Sequence, residues 1–111
     1  MEPITAVGHN GSVTFDGRMV TIHRKGVLAR ATSGSGEKQI PLRSISAVQW
    51  KKPGPLINGY IEFTVPGSID TRPRSGKVSH GENAVIVTRQ QMHRFDELRA
   101  AINQALANLA A

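Results

Sequence analysis

The sequence predicts a mainly β domain closed by one C-terminal α-helix. Three observations carry that expectation. Short runs between Ser12 and Thr88 alternate apolar and polar residues with a period of two, and Gly, Pro, Asp and Asn separate them. After Thr88 the apolar residues fall three or four apart, at Met92, Phe95, Leu98, Ile102, Leu106 and Leu109, which lines one face of a helix. A chain of 111 residues without cysteine has the size of one domain and must hold by packing alone. Residues 1–111 are therefore read as a single domain. Its expected stability is roughly 5 to 10 kcal/mol, which leaves little to support a deep internal cavity.

The first element is a hairpin. Ser12-Val13-Thr14-Phe15 and Met19-Val20-Thr21-Ile22-His23 flank Asp16-Gly17-Arg18, and glycine accepts the positive φ of a tight turn. Beyond Arg24-Lys25-Gly26, Val27 to Thr32 reads as a weaker third strand ending in the Gly/Ser loop Ser33-Gly34-Ser35-Gly36. Lys38 to Leu42 and Ile45 to Trp50 are two short strands. Pro41 donates no ladder hydrogen bond, which places its segment at an edge or a strand end. Lys51-Lys52-Pro53-Gly54-Pro55 is a turn, and Gly59 to Val65 then alternates Ile61, Phe63 and Val65 against Tyr60, Glu62 and Thr64. Residues 66–82 form a long connection of glycine, proline, serine and charge, and Asn83 to Thr88 returns as a short apolar strand. The helix is expected over 89–109. Thr88 and Gln91 have the spacing of a capping box. A helix of that length is marginal alone in water, so its apolar stripe must dock on the sheet.

The formal net charge is +6, and it is unevenly placed. Arg18 to Lys52 holds eight Lys or Arg against the single acid Glu37, whereas the rest of the chain is close to neutral. Such a field speeds encounter with nucleic acid, anionic lipid or acidic protein without choosing among them. Met1 to Gly11 lacks a basic leader region, and no run approaches the roughly 20 apolar residues that span a bilayer. A soluble cytoplasmic protein is the expectation.

Several segments carry a resemblance beyond the order of elements. They are Gly11-Ser12-Val13-Thr14-Phe15-Asp16-Gly17, Val20-Thr21-Ile22-His23-Arg24-Lys25-Gly26, Lys38-Gln39-Ile40-Pro41-Leu42, Ile45-Ser46-Ala47-Val48-Gln49-Trp50, Asn58-Gly59-Tyr60-Ile61-Glu62-Phe63, and Glu82 to Thr88 followed by Phe95-Asp96-Glu97-Leu98-Arg99. Together they resemble a bacterial domain family of unknown function, common in actinobacteria and their phages and assigned to the pleckstrin-homology-like (PH-like, GRAM-like) group. The resemblance covers about residues 8–107. It implies a bent antiparallel β-sandwich or partly open barrel of about seven strands capped by the amphipathic helix. It implies no activity.

Catalysis finds no support among the motifs. His9, His23, His80 and His93 are scattered singly and lack the paired spacing of a metal site. There is no Gly-x-Ser-x-Gly elbow to aim a nucleophile. Asp96 and Glu97 are adjacent on the helix and point apart. Gly8-His9-Asn10-Gly11 and the Gly/Ser loop lack the ending of a phosphate loop. No enzyme, cofactor, metal or small-molecule substrate is expected.

Binding is the remaining class. Lipid-binding PH-like relatives surround inositide phosphates with a basic loop between the first two strands, and this chain has only Asp16-Gly17-Arg18 there, with an acid that repels phosphate. Weak attraction to anionic lipid through Arg24, Lys25, Lys51 and Lys52 remains, at about 1 kcal/mol per charge. Nucleic acid would meet the same cations, but Trp50 and Tyr60 make no ladder of stacking rings. A protein partner fits the expected fold best, through an exposed sheet edge or a groove beside the helix, and a second copy of the chain belongs to the same class. The expected contact surface joins Arg24, Lys25, Trp50, Lys51 and Lys52 with Arg72, Arg74 and Lys77 of the long basic loop. The expected function is thus a non-enzymatic protein-binding module, with weak electrostatic binding of anionic lipid or nucleic acid as the alternative.

Overall fold

The computed structural model describes residues 1–24, 37–66 and 82–110. β1 (Ile4–Val7), β2 (Gly11–Phe15), β3 (Met19–Arg24) and β4 (Glu37–Pro41) form one antiparallel sheet in the order β1-β2-β3-β4. β5 (Ala47–Lys51), β6 (Gly59–Thr64) and β7 (Ala84–Val87) form a second, in the order β5-β6-β7. The helix α1 (Met92–Ala110) follows. Among the described residues no ladder joins the two sheets, so they stay two open layers and do not close into a barrel. The mainly β class with a C-terminal helix is the expected one.

The β2–β3 hairpin forms where the sequence placed it. Phe15 pairs with Val20, and Asp16 and Met19 close the turn through Asp16 N–H donating to Met19 O at 3.3 Å. Gly17 has φ of 100°, and among the described residues no non-glycine residue has a positive φ, the pattern of a turn with glycine first among its central residues. Val13 and Phe15 on β2, with Val20 and Ile22 on β3, are fully buried.

β1 lies ahead of the segment where the sequence reading began. Ile4 pairs with Phe15 and Ala6 with Val13, and Ala6 is fully buried, so the ordered core extends N-terminally beyond residue 8. A four-residue run that includes alanine carries little local β preference; the edge of β2 supplies the pairing that makes it a strand. The following turn then ties the sheets together. His9 N–H donates to Ile86 O, and Ile86 N–H donates to Asn10 Oδ1, both at 2.8 Å. A side chain here does the work of a neighbouring strand at the edge of β7.

Two boundaries differ from the sequence expectation. β4 ends at Pro41, and Leu42–Ser44 is a 3-10 turn, so Leu42 and Ile45 anchor a corner and do not sit in strands. Both side chains are buried, an arrangement that a tight turn permits at this spacing. The α-helix begins at Met92, after a 3-10 turn over Arg89–Gln91. The capping box forms as expected, with Thr88 N–H donating to Gln91 Oε1 at 3.0 Å. The third strand expected at Val27 to Thr32 and most of the 66–82 connection lie outside the described residues.

The core sits between the two sheets and α1. Phe15, Ile22, Ile61, Phe63, Phe95, Leu98 and Ile102 are its large fully buried side chains. Each contributes about 1.5 to 3 kcal/mol by removal from water, so α1, which supplies three of them, is held mainly by packing.

Candidate functional site

Three surface regions gather chemistry. The first is an open groove of about 590 Å³ between the corner after β4 and the C-terminal turns of α1. Buried Leu42 and Ile45 line it with half-buried Leu106, and Leu109, still 58% exposed, stands over it. Arg43 is exposed and supplies a cation at its rim. The groove exists because the apolar stripe of α1 runs further than the sheet beneath it. Phe95, Leu98 and Ile102 are covered, whereas Leu106 is partly covered and Leu109 is not.

The second region lies at the other end of β5. Trp50 pairs with Ile61 and packs on the core, half-buried, with the Arg99 guanidinium 5.3 Å from its ring centre. That is cation–π distance, and it ties the helix to the sheet. Lys51 and Lys52 follow as exposed residues. Pro53 is buried, Gly54 N–H donates to Ile57 O at 2.8 Å, and the turn so formed holds Leu56 97% and Ile57 65% exposed. At the base a Cβ on Gly59 would lie 1.9 Å from Lys51 O and 2.6 Å from Pro53 N. Only glycine lets the two arms of this hairpin approach so closely.

The third region is a polar cluster between the sheets. The Arg24 guanidinium donates to Ala84 O at 2.8 Å and to Glu82 O. Burial pulls its pKa downward and the Glu82 charge opposes that shift. Lys38 Nζ is 2.7 Å from Glu82 Oε1. Arg24 and Lys38, two of the eight cations that make the first half of the chain basic, thus hold the approach to β7. On the same sheet His23 Nδ1 lies 3.7 Å from Glu37 Oε2, across the β3–β4 ladder.

The expected contact residues are therefore divided. Trp50, Lys51 and Lys52 share one hairpin, and Arg24 belongs to the clamp on Glu82; none of these lines the groove, whose rim cation Arg43 was not among them. Lys25, Arg72, Arg74 and Lys77 lie outside the described residues. A groove beside the helix was expected without its lining residues, and Leu56, Ile57 and the exposed Leu109 were not singled out as surface. The signal for the first pair was present, since an apolar pair between Pro55 and Asn58 has no alternating partner and belongs to no strand. For Leu109 no signal existed, because it continues the helix period of the core residues.

Fold and surface together define a small two-sheet domain with a terminal helix and exposed apolar side chains near opposite ends of β5. Residues 13–103 match the family described as Domain of unknown function (DUF4429), and the chain belongs to that family. No curated protein and no solved structure shows a significant match to it.

Proposed function

We propose that the domain is a non-enzymatic, PH-like binding module that engages a protein partner, with its cations assisting association. The PH-like kinship is supported by the order of elements, short antiparallel strands followed by one helix. The observation that carries the binding reading is the groove beside the end of α1, where Leu42, Ile45, Leu106 and Leu109 present apolar surface beside the Arg43 cation. An amphipathic segment of a partner, apolar on one face and acidic at its flank, matches it in shape class and in charge. A second copy of the chain is a less apt occupant, because it brings the same basic balance to the contact.

The test is selection from a random peptide display library, followed by mapping of the selected peptides by NMR shift perturbation. Selected sequences should combine apolar anchors with Asp or Glu. Their perturbations should centre on Leu42, Ile45 and Leu106, and Leu109→Glu together with Arg43→Glu should weaken binding at least about tenfold, a loss of roughly 1.4 kcal/mol. Both residues are exposed, so the variant keeps its fold. Peptides that perturb a different surface, or that bind the double variant unchanged, overturn the reading.

A further inference from the structure

The tip of the β5–β6 hairpin is the most exposed apolar feature among the described residues. Leu56 is almost wholly in water, Ile57 is two-thirds exposed, and the turn that presents them is stiffened by Pro53, Pro55 and the Gly54 N–H to Ile57 O bond. Two lysines precede the apolar pair, and among the described residues no ion pair holds either of them. From Lys38 to Ile61 the chain holds Lys38, Arg43, Lys51 and Lys52 and no Asp or Glu. An apolar point behind a pair of cations, with no acid between, is complementary to one kind of surface.

We infer that this hairpin tip docks the domain on anionic membrane surfaces, with Leu56 and Ile57 entering the boundary between headgroups and acyl chains and Lys51 and Lys52 meeting anionic headgroups. Two side chains on a convex turn offer far less area than the roughly 1,000 Å² a specific protein interface needs. A bilayer asks for no matching pocket. Lysine stems also lie along an apolar boundary while their ammonium groups stay in the headgroup layer. Duplex nucleic acid would be served by the two cations but gives Leu56 and Ile57 nothing to enter. This inference goes beyond the protein-binding reading and does not depend on it, since groove and tip lie at opposite ends of β5.

The test is flotation of the full chain with vesicles of phosphatidylcholine alone and of phosphatidylcholine mixed with phosphatidylglycerol, over a salt series. Binding should require phosphatidylglycerol and weaken with salt. Lys51→Gln with Lys52→Gln should lower partition by about 25-fold, roughly fivefold per charge. Leu56→Ser with Ile57→Ser should lower it by about tenfold or more while keeping the salt dependence. All four positions are exposed, and unchanged thermal melting of both variants confirms that the fold is kept. Trp50, the only tryptophan, adjoins Lys51, so a blue shift of its emission on the mixed vesicles should accompany binding and vanish in the serine variant. Three results overturn the inference: no binding to mixed vesicles, binding unaffected by the serine pair, or equal affinity for duplex DNA that the serine pair leaves intact. Groove peptides tested on the same variants separate the two readings, because tip changes should not alter peptide affinity.

Discussion

Asp16 fixes the β2–β3 turn with a single carboxylate. Its Oδ1 accepts the N–H of Met19 at 2.8 Å and of Arg18 at 2.9 Å, and these bonds, that to Met19 first, hold its pKa below the usual value. A carboxyl with a depressed folded pKa stabilises the fold fully above its unfolded pKa and loses that contribution as pH falls through the folded one. Asp16→Ala should therefore be less stable than wild type at neutral pH, and the gap between their urea midpoints should close as pH drops below the ordinary aspartate range. Arg24 acts differently, as a fork reaching two carbonyl oxygens at the approach to β7. Arg24→Met should lower stability by about 1 to 3 kcal/mol in urea unfolding, and Arg24→Lys should recover only part, because one ammonium cannot reproduce the planar fork.

At the scale of elements, α1 allows two contributions to be ranked. Its capping box is exposed to replacement at Thr88, and its packing face is fully buried at Leu98. Thr88→Ala should cost about 1 kcal/mol and Leu98→Ala about 2 to 5 kcal/mol, both read from thermal or urea unfolding monitored by circular dichroism. A larger loss at the cap than at Leu98 would mean that the helix holds by local propensity and not by docking. The same element shows why its two ends differ in role. The stripe is continuous in sequence, but the sheet and corner cover only its first three turns, so Phe95, Leu98 and Ile102 become core and Leu109 becomes surface. Likewise the β5–β6 hairpin is well paired from Lys51–Tyr60 to Ala47–Thr64, and its chemistry begins only where the ladder stops.

For the whole molecule, the separation of the two proposed surfaces has a measurable consequence. β5 spans roughly 17 Å between the groove corner and the hairpin tip. Changes at sites so far apart with no shared partner should add. Combining Leu109→Glu with the Leu56→Ser and Ile57→Ser pair should give peptide and vesicle affinities equal to those of the parent variants, within about 0.5 kcal/mol by titration. Both surfaces could then be occupied together, with the domain set on a bilayer and its groove turned to a protein.

The residues alone determined the β2–β3 hairpin, the alternating β6 strand, the apolar β7 run, the capping box and the helix, because each depends on a periodicity or a turn residue within a few positions; that β7 ends its sheet as an edge strand was decided by the assembled fold. They also determined that the first half of the chain is basic. Tertiary structure decided what neighbours do to those elements. β1 exists because β2 offers it an edge, Leu42 and Ile45 turn a corner because both must reach the core, and Arg24 and Lys38 meet Glu82 across more than forty residues of chain. Among the described residues, Arg24 and Lys38 gather on Glu82, Arg43 stands at the groove, and Lys51 and Lys52 lie on the β5–β6 hairpin. The exposure of Leu56, Ile57 and Leu109 follows the same logic: hydrophobicity is a property of the side chain, but burial depends on which other element reaches it, and only the assembled fold specifies that.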